Sequence, residues 1–155
     1  MKQESQEFLL SLLEEQKNNE LLLKDLTARL NTNLVCSIYR TDDEGVGYRD
    51  EILHGYCKGD IWYEFYFRED CSIGIDNVSK IKPYLFPLSS MTEEECYELD
   101  SIRSDFQDCW KYIKTPIPLS ICNFEQIDWF HKNHFDYRGL IEKELAIDAT
   151  NLNIY

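Results

Sequence analysis

No run of apolar residues in the chain approaches the roughly 18 that a bilayer span needs, so no membrane-crossing segment is expected. Glycine and proline are scarce, at six and four residues, and no Gly-rich phosphate loop or nucleophile elbow is present. No Pro/Gly/Ser tract is long enough to divide domains, and no repeat or low-complexity segment interrupts the chain. Basic residues number 16 against 29 acidic ones, a net charge of −13. A surface so charged repels phosphate backbones and anionic lipid, so direct nucleic-acid binding and membrane binding are not expected. A basic protein is the favoured electrostatic partner, although acidity also serves solubility alone. The six cysteines, at 36, 57, 71, 96, 109 and 122, contain no Cys-x-x-Cys spacing for zinc or redox work. The first residues, MKQESQEFLLSLLEEQ, lack the basic start and long uncharged run of a secretory signal. A cytoplasmic location follows as the expectation, and there the thiols stay reduced and act as small core residues.

What is present is apolar mass: 43% hydrophobic and 14% aromatic residues, enough to argue against disorder. The length suits a single domain over 1–155, with a helical segment at 5–30, a β-rich part at 34–86 and a helical part at 92–155.

The clearest local signal lies at 81–102, IKPYLFPLSSMTEEECYELDSI, where extended chain hands over to helix. Pro83 and Pro87 lack the backbone donor of a central strand, which puts 81–86 at a sheet edge or just leaving the sheet. Ser90 with Glu93 and Thr92 with Glu95 are overlapping capping boxes, and three glutamates crowd the positive end of the helix dipole. Beyond them Cys96, Leu99, Ile102, Phe106, Cys109 or Trp110, and Ile113 recur at helical spacing, which predicts a helix over about 92–112. Pro116 and Pro118 stop it.

In the N-terminal segment Leu9, Leu12, Leu23, Leu26 and Leu30 fall on one heptad seam, with Gln16 and Asn19 at the positions between. Lys17–Glu20 has no apolar anchor, so a break or bend near Asn18–Asn19 is expected. Phe8, Leu9, Leu12 and Leu13 form a leucine-rich face that either packs on its own domain or serves self-association into a homo-oligomer. Asn31–Thr32–Asn33 ends the helix. Strands are expected at 34–40, 51–57 and 61–68, with an acidic loop or wide hairpin at 41–49 and a turn at Lys58–Gly59–Asp60. In 61–68, Ile61, Tyr63, Phe65 and Phe67 alternate with Trp62, Glu64, Tyr66 and Arg68. A short strand at 73–75 follows. The short links imply an antiparallel meander of four or five strands, or a partly closed barrel, flanked by the N-terminal helix and two to three C-terminal helices. The class is α+β. After the main helix come a short strand or link at 117–121, a helix over 124–133 capped by Asn123, and a short helix capped by Asp136 with Leu140 and Ile141 buried.

Three blocks, LLLKDLTARL at 21–30, KPYLFPLSSMTEEE at 82–95 and HFDYRGLIEKELAIDATNLNIY at 134–155, resemble a family of short proteins of uncharacterised function encoded by phages and mobile elements of gut bacteria. They cover about a third of the chain and leave out 36–75. The resemblance implies a genetic setting, not a mechanism, and carries no site residues.

Three constellations hold chemistry. His131 and His134, with Asp128 and Asp136 nearby, have a spacing that suits a metal or acid/base site; histidines at a helix C-terminus, favoured by the dipole, are the plainer reading. His54 stands alone in a strand. Trp62 and Tyr66, on the face opposite the core side of their strand, can grip a partner peptide or be covered by a helix. On the main helix Glu93, Glu94, Glu95, Glu98, Asp100, Asp105 and Asp108 face only Arg103, a local charge of −6. Carboxylates so spaced either imitate a phosphate backbone or simply solvate a helix face.

The expected role is therefore non-enzymatic: a cytoplasmic interaction protein working through protein contacts. Its partner-binding residues are Trp62, Tyr66, Glu94, Glu98 and Asp105, with no cofactor, no metal and no catalytic set assigned. The alternatives are an acidic nucleic-acid mimic that blocks a host nucleic-acid-binding protein, and a metal-dependent enzyme at His131, His134 and Asp136.

Overall fold

From Leu22 onward the leucines of the N-terminal segment turn inward: Leu22 and Leu26 are 1% and 0% exposed, while Phe8, Leu9, Leu12 and Leu13 are 45–63% exposed. Both groups belong to one helix, α1 (Lys2–Ala28), seen in a computed structural model that describes residues 2–42, 45–58, 63–68, 71–102 and 122–155. The expected break at Asn18–Asn19 does not form. No proline or glycine lies within α1, and asparagine, glutamine and lysine each disfavour a helix interior by only tenths of a kcal/mol relative to alanine. The helix ends where Asn31 and Asn33 take left-handed backbone angles, φ 75° and 55°, which asparagine tolerates better than most residues.

The β-rich part is two sheets. Strands β1 (Val35–Asp42) and β2 (Gly45–Ile52) form an antiparallel hairpin, so of the two alternatives for 41–49 the hairpin holds, with pairing that runs out to Asp42 and Gly45. Expected strand 51–57 is split: β2 ends at Ile52, and β3 (Gly55–Lys58) starts in the other sheet with β4 (Tyr63–Arg68) and β5 (Cys71–Gly74). The crossing is made by Leu53, buried, and by exposed His54, whose N–H donates to the Tyr66 carbonyl at 2.8 Å. The alternation in β4 holds at its core positions, with Phe65 and Phe67 fully buried.

A 3₁₀ segment (Ile75–Lys80) leads into β6 (Ile81–Pro87), which is interior to its sheet rather than an edge. It pairs antiparallel with β1 and then parallel with β8 (Ile147–Asp148) and β7 (Phe135–Asp136). The two prolines fit because each stands in the last pair of a ladder, Pro83 opposite Cys36 and Pro87 opposite Asp136. The result is a mixed five-stranded sheet, order β2-β1-β6-β7 with β8 also on β6, and no barrel closes among the described residues. The class is α+β, as the sequence predicts. The antiparallel meander holds for β3-β4-β5 alone, because in the other sheet the C-terminal segment returns to add strands distant in sequence.

Helix α2 (Glu93–Ser101) begins with the predicted Thr92–Glu95 capping box, both reciprocal bonds formed. Its predicted continuation to 112, and the strand at 117–121, fall outside the described residues. Helix α3 (Phe124–Lys132) starts at Asn123 with a second capping box to Gln126. The expected last helix is replaced by turns over 137–144, although the Asp136 carboxylate does accept from the Leu140 and Ile141 amides, at 2.9 and 2.8 Å.

Apolar packing forms two clusters. The first joins Leu22 and Leu26 of α1 to Ile38, Phe65, Phe67, Ile81 and Leu85. The second gathers Leu88, Leu99, Trp129, Phe130, Phe135 and Tyr137 around α2, α3 and β7. Burying such side chains stabilises by roughly 1.5–3 kcal/mol each.

Candidate functional site

The arrangement that joins the two clusters is ionic. Asp25, on the inward face of α1, and Arg29, the first residue past its end, lie one turn apart, both 0% exposed, with Arg29 Nε donating to Asp25 Oδ2 at 2.7 Å. The rest of the guanidinium reaches across to the second cluster: Nη2 donates to the Phe135 carbonyl at 2.8 Å and Nη1 to the Phe130 carbonyl at 3.3 Å. Arg138 sits 3.2 Å from the other Asp25 oxygen, a charge contact not aligned as a hydrogen bond. Tyr137 packs beneath both cations, its ring centroid 5.8 Å from Arg29 and 4.9 Å from Arg138. Arg29 is matched at three of its nitrogens by protein atoms, so this centre ties α1 to α3 and β7.

The predicted histidine constellation surrounds that centre without forming a metal set. His131 pairs its Nε2 with the Tyr137 hydroxyl at 2.7 Å. His134 occupies the turn from α3 to β7 with φ 57°; its ring stacks on Tyr155 at 4.0 Å, and its buried Nδ1 has no hydrogen-bond partner. Both imidazoles are pushed down to about 4, first by burial and then by the Arg29 charge, so both are neutral at pH 7. Both oxygens of Asp136 are engaged by backbone amides, and burial still raises its carboxyl above the usual range. Among the described residues no group of three His, Cys, Asp or Glu side chains is placed to hold a metal. The Cys36 thiol, fully buried, is held well above the usual thiol range by burial and then by Asp25, which keeps it protonated and inert.

Two surfaces face outward. On α2, Glu93, Glu94 and Glu98 are exposed, and the helix carries no basic residue. Glu95 is turned inward to its cap and Asp105 lies outside the described residues. On β4, Tyr66 is half-buried with its hydroxyl 3.4 Å from Glu64, and Trp62 also falls outside the described residues. Tyr66 stands on a strand of the first cluster and Glu94 and Glu98 on a helix of the second, so the predicted partner residues form separate surfaces.

The larger feature is the free half of α1. Every side chain from Gln6 to Lys17 is exposed, including Phe8, Leu9, Leu10, Leu12 and Leu13 at 45–65%. Where the helix meets the 3₁₀ segment, Leu12, Glu15, Gln16, Asn19, Glu20, Leu23 and Val78 enclose a cleft of about 470 Å³. Sequence reasoning named this leucine face but missed Asp25, Arg29, Tyr137 and Arg138. The available signal was an Asp/Arg pair at i,i+4 set among Leu22, Leu26 and Leu30, on a stripe that should be apolar. No described helix is long and apolar enough to cross a membrane. No family model matches the chain, nor does any curated protein or solved structure.

Proposed function

We propose that the protein is a non-enzymatic, cytoplasmic interaction protein of a phage or mobile element, acting through contacts made by the free half of α1. The carrying observation is the cluster of five large apolar side chains, all 45–65% exposed on consecutive turns of a helix in which no described side chain before Leu22 is buried. Isolated surface leucines need no explanation, whereas a contiguous patch on a rigid helix is what partner helices and grooves recognise. The genetic setting rests on the resemblance of the three sequence blocks. The engagement of Asp136 and His131 by their own neighbours turns the histidine region toward a structural role.

The test is affinity capture from a bacterial host lysate with the intact chain and with residues 2–16 removed. A partner held by the first and lost by the second supports the reading; capture indifferent to the deletion moves the contact elsewhere. A second reading, mimicry of a phosphate backbone, draws on Glu93, Glu94 and Glu98, which are exposed on one helix without a basic neighbour in it.

A further inference from the structure

The helix that carries the apolar patch is acidic as well as apolar. From Gln6 to Glu20 the ionisable side chains are Glu7, Glu14, Glu15 and Glu20 against Lys17, a local charge of −3 within a chain of −13. The cleft beside α1 repeats that pattern: Leu12, Leu23 and Val78 give it an apolar lining, and Glu15, Gln16, Asn19 and Glu20 a polar, anionic one. At about 470 Å³ it falls in the range of binding pockets, ~300–1,000 Å³. From the cleft the exposed stripe continues through Leu9 and Leu13 to Phe8. From Phe8 to Leu23 the helix rises roughly 22 Å, about four turns.

We infer that this stripe and cleft take a basic amphipathic helix of another protein, with apolar side chains in the cleft and lysine or arginine beside Glu15 and Glu20. The inference rests on the interaction reading above and names the chemistry of its partner. Charge decides the occupant. A second copy would set one acidic helix against another, and like-charge juxtaposition disfavours that pairing. A basic helix reverses the sign of the same term, and Leu12, Leu23 and Val78 supply the apolar anchor positions that dominate such interfaces.

The experiment titrates the full chain with a labelled helical peptide of about four turns, leucines on one stripe and lysines elsewhere, followed by fluorescence anisotropy. The comparison peptide has glutamate at every lysine. The lysine peptide is expected to bind, with affinity falling as salt rises, and the glutamate peptide is not. Glu15→Lys with Glu20→Lys should weaken binding about tenfold or more. Glu125→Lys with Glu142→Lys changes net charge equally at exposed positions outside the stripe and cleft and should weaken it by less than about threefold. Leu12→Ser, at an exposed position that leaves the core intact, should weaken it about tenfold.

Failure of the lysine peptide to bind would overturn the inference, as would equal weakening by the two charge-reversed pairs, which would signal unspecific attraction. Sedimentation showing a dimer that Leu12→Ser dissociates would make a second copy the occupant instead. If the lysine peptide fails while removal of residues 2–16 still abolishes capture, the basic occupant falls and the interaction reading stands.

Discussion

Arg29 and Asp25 meet at 2.7 Å with neither side chain exposed to solvent, and the same guanidinium holds the carbonyls of Phe130 and Phe135, more than 100 residues away in sequence. One side chain thus links the end of α1 to α3 and β7, beside the apolar packing of Leu22 and Leu26.

Removing that side chain should be costly. Arg29→Met leaves Asp25 with Arg138, at 3.2 Å, and removes a donor from each of the buried Phe130 and Phe135 carbonyls. The expected loss is about 3–5 kcal/mol in urea unfolding. Arg29→Lys should recover little of it, because an ammonium cannot span the three acceptors as a planar fork does. A loss under about 1 kcal/mol would show that the pair does not join the clusters.

Stability should fall on mild acidification. His131 and His134, held at about 4 in the fold, take up protons near 6.5 once unfolded. Between those values the unfolded chain binds more protons, so their contribution is complete above pH 6.5 and is lost as pH falls toward 4. After allowance for solvent screening each is worth about 1–2 kcal/mol. Asp136 acts in the opposite sense: its raised carboxyl favours the fold at low pH and offsets part of the loss. Urea midpoints compared at about pH 7 and about pH 5 should show the drop, and His131→Gln with His134→Asn should flatten it.

The purified protein should carry no stoichiometric transition metal at the C-terminal end of α3. His131 is held by Tyr137 and both Asp136 oxygens by backbone amides, so the donors do not converge. Elemental analysis of the parent and of His131→Ala decides it. Zinc present in the first and absent in the second would restore the metal-enzyme reading.

Charge reversal on α2 separates mimicry from an apolar contact. If Glu94 and Glu98 imitate phosphates, Glu94→Lys with Glu98→Lys should abolish capture of a nucleic-acid-binding protein and leave the fold within about 1 kcal/mol of the parent. If the α1 face is the contact, capture should survive the pair and disappear with Leu9→Ser and Leu12→Ser.

Where one stretch of chain settled its own conformation, the sequence was sufficient. Thr92 with Glu95 and Asn123 with Gln126 close capping boxes in the structure because each box uses atoms three residues apart. The buried alternation of Phe65 and Phe67 follows from the two-residue period of a strand, and the asparagines at 31 and 33 end α1 through their own backbone tolerance. The exposed leucines of α1 were legible too, as residues; that they stay uncovered was not.

Contacts distant in sequence were left to the tertiary structure. Pro83 and Pro87 suggested an edge, yet β6 is interior because β7 and β8 return from beyond residue 134 to pair with it. Asp25 and Arg29 drew no reading from the sequence, because their burial depends on Phe130, Phe135 and Arg138 closing over them. The physical reason is one of range: caps, turns and strand alternation are settled by neighbours a few residues away, whereas desolvating an ion pair or pairing a strand depends on which distant segment closes over it.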